Sequence, residues 1–124
     1  VATVAHAQPQ WSPPPPSNLQ ILARDISARA LVGTMRGFTQ GLGVRCQHCH
    51  VYKGDDPDDL FAFDFASDEK GAKRTARVML RMVTTINTDL LRGVGEPSPA
   101  GEAKVTCHTC HRGETRPLTR RPAG

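Results

Sequence analysis

LVGTMRGFTQGLGVRCQHCH, residues 31–50, runs an amphipathic helix, its stop signal and a cysteine–histidine motif together. Leu31, Met35, Phe38 and Leu42 recur at steps of four, three and four, which puts them on one helical face. The spacing predicts a helix from about Ile26 to Leu42. Asp25 or Ser27 stands ready to accept a bond from an orphan backbone N–H at its start. Gly41 and Gly43 end it, since glycine takes the left-handed cap conformation at little cost. CQHCH (46–50) follows at once.

The layout then repeats. FASDEKGAKRTARVMLRMVTTIN (65–87) carries a second amphipathic pattern, expected as a helix from about Asp68 to Leu91. Ser67 is its expected cap, and Asp68 and Glu69 suit the positive end of the helix dipole. Ala76, Met79, Val83, Ile86 and Leu90 line one face, with Leu80 and Met82 flanking it. Gly93 stops it, a loop with Pro97 and Pro99 follows, and CHTCH (107–111) closes the phrase. The acidic stretch between the two phrases reads as a loop. Its FAFDF segment is expected to set Phe61, Phe63 and Phe65 on one side of a short extended piece, without a sheet.

The two motifs use all four cysteines of the chain. A zinc site would need four N/S ligands in a tetrahedral array. Two CxxC pairs offer that number, but zinc gives no reason for a histidine directly after each pair. A redox-active CxxC belongs near a βαβ pattern, and none is visible. Disulfides within each pair would be strained small rings. Covalent haem attachment explains every position: two cysteines on one turn form thioethers with the vinyl groups, and the next histidine ligates the iron. The anchors are Cys46, Cys49 and His50 for a first haem, and Cys107, Cys110 and His111 for a second. His48 and His108, inside the motifs, read as solvent-edge side chains.

The sixth iron ligand separates electron transfer from gas binding or catalysis. His6 is the only histidine outside the motifs, so methionine is the alternative, and the chain has Met35, Met79 and Met82. Each sits on an expected helix, where methionine also serves as a plain gap-filler. Two helices, each preceding a motif and each with an inward methionine, favour ligation. Periodicity leaves Met79 and Met82 equivalent, because residues three apart share neighbouring parts of a face.

Composition agrees with a large prosthetic group. A chain of 124 residues that is 38% hydrophobic and 5% aromatic is short of core. Residues 8–18, QPQWSPPPPSN, favour a stiff polyproline II arm that Trp11 could anchor on the domain surface. Ala5-His6-Ala7 has the small-x-small form of a signal-peptidase site, so residues 1–7 read as a signal-like remnant. The formal charge of +4 is unevenly spread. Asp55, Asp56, Asp58, Asp59, Asp64, Asp68 and Glu69 cluster in residues 54–69, while Arg112, Arg116, Arg120 and Arg121 mark a basic tail. Without interleaved aromatics or a recognisable module, nucleic acid is not an expected partner. No segment is long and apolar enough to span a membrane. Arg112 and Arg45, beside the motifs, are candidates to pair with haem propionates.

LVGTMRGFTQGLGVRCQHCH, FASDEKGAKRTARVMLRMVTTIN and VTCHTCHRG together resemble the cytochrome c subunit of purple-bacterial photosynthetic reaction centres, specifically one dihaem half of that protein. The resemblance covers roughly residues 19–113. It implies a helix beside each haem plane that gives a methionine to the iron, Met35 for the first haem and Met79 for the second, leaving Met82 as packing.

The expected protein is therefore mainly α, a small multihaem c-type cytochrome with much irregular chain. Residues 1–18 form the remnant and arm, 19–113 the dihaem domain and 114–124 the basic tail. Its expected work is one-electron transfer by two covalently attached haem c groups with His/Met ligation, as a carrier or an electron-transfer subunit, and not as an enzyme. Expected partners are redox proteins, with a membrane complex or a homo-polymer as possible settings. The expected location is periplasmic or extracellular, since thioether maturation occurs outside the bacterial cytoplasm. The alternatives are a repeating unit of an extracellular haem polymer and a dihaem peroxidase-like enzyme, which would need one five-coordinate iron.

Overall fold

The computed structural model describes residues 10–100 and 102–123, so His6 and the signal-like residues 1–7 lie outside it. The fold is mainly α. Helix α1 spans Ala28–Leu42, α2 spans Gly71–Thr85 and α3 spans Cys107–His111. Between α1 and α2, strand β1 (Val51–Tyr52) pairs antiparallel with β2 (Phe63–Asp64), in the register Val51 with Asp64 and Tyr52 with Phe63.

Helix α1 starts where a cap is available. The Ser27 hydroxyl accepts from the Ala30 N–H at 3.1 Å, so Ser27 and not Asp25 is the cap, and the helix begins two residues after Ile26. Gly43 closes it in the left-handed conformation (φ 66°), with its N–H on the Thr39 carbonyl.

The expected start of α2 is corrected. The helix begins at Gly71 and not at Asp68, with Lys70 as its flanking residue. The Ser67 hydroxyl instead accepts from the Glu69 N–H at 3.2 Å, and Asp68 takes a different role, described below. The far end also differs. Regular helix stops at Thr85, and Ile86–Leu90 form one wide π turn. That turn holds an extra residue, which rotates the positions after it. Leu90, expected inward, is 65% exposed as a result.

The FAFDF reading is corrected in two ways. Phe63 belongs to a short strand pair that the sequence did not announce. Phe61 sits on a 3-10 turn (Leu60–Ala62) and is 65% exposed, although it lines the same shallow cavity as Phe63 and Phe65. Phe63 and Phe65 stack with ring centroids 5.1 Å apart and planes 17° from parallel. Trp11 lies 5.9 Å from Phe65, so the proline-rich arm is anchored as expected.

Asn18 fixes the root of that arm. Its amide donates to the Ala66 carbonyl at 2.7 Å and to the Asp68 carboxylate at 2.9 Å. The same carboxylate takes Arg77 at 2.9 Å and Lys73 at 3.2 Å. These donors, Arg77 foremost and then Asn18 and Lys73, hold the Asp68 carboxyl well below the usual carboxylate range.

Packing elsewhere relies on the main chain. Among the described residues no hydrophobic side chain is fully buried, and Gly41 is the one buried residue. It lies where the last turn of α1 meets α3. A Cβ at Gly41 would stand 2.9 Å from both Cys107 Cβ and the His108 nitrogen, so glycine is what allows the approach. The Gly113 N–H donates to the Gly41 carbonyl at 2.8 Å across this joint. One step further, a Cβ at Gly43 would meet the Gly113 oxygen at 2.0 Å.

Candidate functional site

The joint between α1 and α3 decides where the two CxxCH motifs sit. The first leaves α1 a few residues past the joint, and the second is α3 itself. Residues distant in sequence are thus brought side by side through glycine backbone.

In the first motif, Cys46–His48 make a tight 3-10 turn. The Cys49 N–H donates to the Cys46 carbonyl at 3.2 Å, and the His50 N–H to the same oxygen at 2.9 Å. Both thiols and the histidine therefore project from one winding of chain. His50 Nδ1 is 3.1 Å from the Phe65 carbonyl. A carbonyl can only accept, so Nδ1 carries the hydrogen and Nε2 keeps its lone pair. The Phe65 ring meets the imidazole edge-on at 5.0 Å. Burial, helped by the nearby Lys73 charge, lowers the His50 pKa to about 4, which leaves the ring neutral.

In the second motif, α3 opens with the Thr106 N–H donating to the Thr109 hydroxyl at 2.9 Å. His111 Nδ1 is 2.9 Å from the Glu114 carbonyl, which fixes the same tautomer as in His50. Arg112 caps α3 in the left-handed conformation (φ 52°), the one non-glycine residue in that region among the described residues. The Asn87 side chain holds the approach to this motif. It donates to the Val105 carbonyl at 2.7 Å and accepts from the Val105 N–H at 2.9 Å.

No disulfide joins any of the four cysteines. Burial pushes the Cys49 and Cys107 pKa values up, against the pull of Lys70 and Lys73 at Cys49. Among the described residues, no three His, Cys, Asp or Glu side chains converge as a metal site, so the four-cysteine zinc arrangement is not formed. The donor set at each motif is one that covalent haem attachment requires: two cysteine sulfurs on one winding and an imidazole whose Nδ1 is bonded to a backbone carbonyl, which leaves Nε2 for iron.

Met35 on α1 and Met79 on α2 are both half-buried. Met82, on the same helix as Met79, is 46% exposed. His48 and His108 are exposed, as expected. The Arg45 guanidinium is ion-paired with Asp58 of the acidic stretch.

Sequence reasoning missed Lys73. Its ammonium donates to the Phe65 and Ser67 carbonyls, each at 2.8 Å, and its side chain is 12% exposed. One signal was present: a lysine in the first turn of a helix opposes the helix dipole, and needs a compensating role. Asn87 gave no such signal.

The profile of the family described as "Photosynthetic reaction centre cytochrome C subunit" matches residues 17–120. The photosynthetic reaction center cytochrome c subunit of Rubrivivax gelatinosus is 31% identical over 98 residues, covering 73% of this chain and 25% of the relative. Cytochrome c-554 of Chloroflexus aurantiacus is 35% identical over 94 residues, covering 76% and 20%. The reaction center cytochrome c subunit of Thermochromatium tepidum is 31% identical over 102 residues, covering 81% and 21%. The chain thus spans a quarter or less of the length of these relatives. No solved structure gives a significant match. The chain belongs to the photosynthetic reaction centre cytochrome c subunit family.

Proposed function

We propose that this chain is an electron-transfer module with two covalently attached haem c groups, one at each CxxCH motif. The observation that carries the reading is shared by the two motifs. Each histidine is locked through Nδ1–H onto a backbone carbonyl, which leaves Nε2 to face an iron. Bound haem would supply the one-electron chemistry. The chain's own residues supply attachment, orientation and exclusion of water. Cys46 and Cys49, then Cys107 and Cys110, anchor the two groups. His50 and Met35 would hold the iron of the first, and His111 and Met79 that of the second. Methionine favours ferrous iron, so both centres are high in potential for c-type haem.

Family membership supports haem and electron transfer in preference to an enzyme with an open iron. The lack of any fully buried hydrophobic side chain among the described residues supports a core completed by prosthetic groups. Arg112 is the proposed propionate partner at the second haem. Arg45 has the same role at the first only on leaving Asp58. Electron exchange is with redox proteins outside the bacterial cytoplasm, the compartment where thioethers are made. No helix of the described residues is long and apolar enough to cross a membrane.

The test is haem content and ligation in the protein purified from a host with thioether maturation. Pyridine haemochrome analysis should give two c-type haems per chain. The ferric protein should show a methionine–iron charge-transfer band of two-haem intensity, and the ferrous protein should bind no carbon monoxide. One haem, or carbon monoxide binding at native pH, would overturn the reading.

A further inference from the structure

The two motif histidines share one tautomer but not one environment. The Glu114 carbonyl, which holds His111, receives no lysine or arginine donor among the described residues. The Phe65 carbonyl, which holds His50, also accepts from the Lys73 ammonium at 2.8 Å. Lys73 is 12% exposed, so water screens its charge poorly. Asp68 at 3.2 Å offsets that charge only in part, because the same carboxylate oxygen also takes Arg77 at 2.9 Å. Lys70, bonded to the Gln47 carbonyl inside the first motif, adds a second cation on the same side.

These contacts have a direct consequence for an iron held by His50. A carbonyl that accepts from the imidazole N–H raises the basicity of the ligand and favours ferric iron. A cation bonded to the same oxygen draws off that electron density and weakens the effect. Its field also opposes the extra positive charge of the ferric state. Both effects favour ferrous iron at the first site, whereas at the second no lysine or arginine among the described residues bonds the carbonyl that holds the histidine.

We propose that Lys73 is a positioning residue which, through the Phe65 carbonyl it shares with His50, sets the first haem site at a higher reduction potential than the second. The inference rests on the proposed haem reading. An electron arriving at either site then settles at the one held by His50. With haem bound, one electron would leave ferrous iron at the His111 site and be taken up by ferric iron at the His50 site, with no proton moved.

The experiment is a spectroelectrochemical titration of the full haem-loaded chain, beside Lys73→Met, Lys73→Arg and Asp68→Asn. Wild type should titrate in two waves. Lys73→Met keeps the apolar stem but removes the charge. It should lower the upper wave by about tenfold in the one-electron equilibrium, which is about 59 mV, and leave the lower wave in place. Lys73→Arg should restore the wild-type value. Asp68→Asn strips the counter-charge and should move the upper wave the opposite way, so it carries the test should Lys73→Met fail to fold. Movement of the lower wave, no movement at all, or a loss in Lys73→Arg equal to that in Lys73→Met would overturn the proposal. Haemochrome analysis of wild type separates the two failures: fewer than two haems defeats the haem reading, whereas two haems with an unmoved upper wave defeats only the role of Lys73.

Discussion

Replacing Gly43 with alanine tests the joint between α1 and α3 against a built-in control. Gly43 and Gly93 both lie in the left-handed region, at φ 66° and 75°. An alanine there costs roughly 1–2 kcal/mol in local strain at either position. The gain from a stiffer unfolded chain is the same at both and cancels. Their surroundings differ. A Cβ at Gly93 meets nothing within 4 Å, whereas one at Gly43 falls 2.0 Å from the Gly113 carbonyl oxygen. A backbone atom cannot step aside as a side-chain tip can, so α3 must shift away. Forced overpacking of this kind costs about 1–3 kcal/mol. Gly93→Ala is therefore expected to lose about 1–2 kcal/mol and Gly43→Ala about 2–5 kcal/mol. Guanidinium unfolding of the haem-loaded chain, followed by far-ultraviolet circular dichroism, reads the difference as a shift in midpoint at unchanged slope. If the two variants fall within about 0.5 kcal/mol of each other, the contact across the joint is wrong.

Other substitutions probe the site and its supports. Met35→Ala should open one iron to carbon monoxide in the reduced protein and halve the methionine–iron band, while Met82→Ala leaves both unchanged; visible spectra distinguish the two. Asn87→Ala removes both bonds to Val105 and should cost about 1–3 kcal/mol, measured by thermal unfolding. Asp68 has a depressed pKa, so its contribution to stability is present above the ordinary aspartate value near pH 3.9 and fades as pH falls towards the lower folded value. The stability difference between wild type and Asp68→Asn should accordingly be constant from about pH 7 to 5 and shrink below about pH 4. A difference that grows on acidification would contradict the sign of that shift.

The sequence made the helices and motifs readable because each has a local cause. The face formed by Leu31, Met35, Phe38 and Leu42 and the stop at Gly43 are written within α1 itself. The start of α2 was misread because Ser67-Asp68-Glu69 has the chemistry of a helix cap, yet Asp68 is taken by Asn18 and Arg77. Asn18 lies far back in the chain, and no local pattern reveals such a partner. Leu90 was misread because a π turn leaves no clear mark on apolar periodicity. The candidate cysteines and histidines were legible from spacing alone. The carbonyls that orient His50 and His111 were not, since any residue carries a carbonyl and only the fold selects Phe65 and Glu114. Lys73 showed only its unusual place in the first turn of α2; the carbonyls it meets were hidden for the same reason.

The joint at Gly41 and Gly113 has a consequence for how such a chain can change over time. The bond that ties α1 to α3 runs from main chain to main chain. No rotamer intervenes, and no side chain must be kept for the two motifs to hold their separation. The surrounding surface is then free to drift, exchanging charge or shape to suit a new donor or acceptor. On the proposed two-haem reading, the distance an electron would cross inside the protein is insulated from that drift, so long as glycine stays where the two backbones touch.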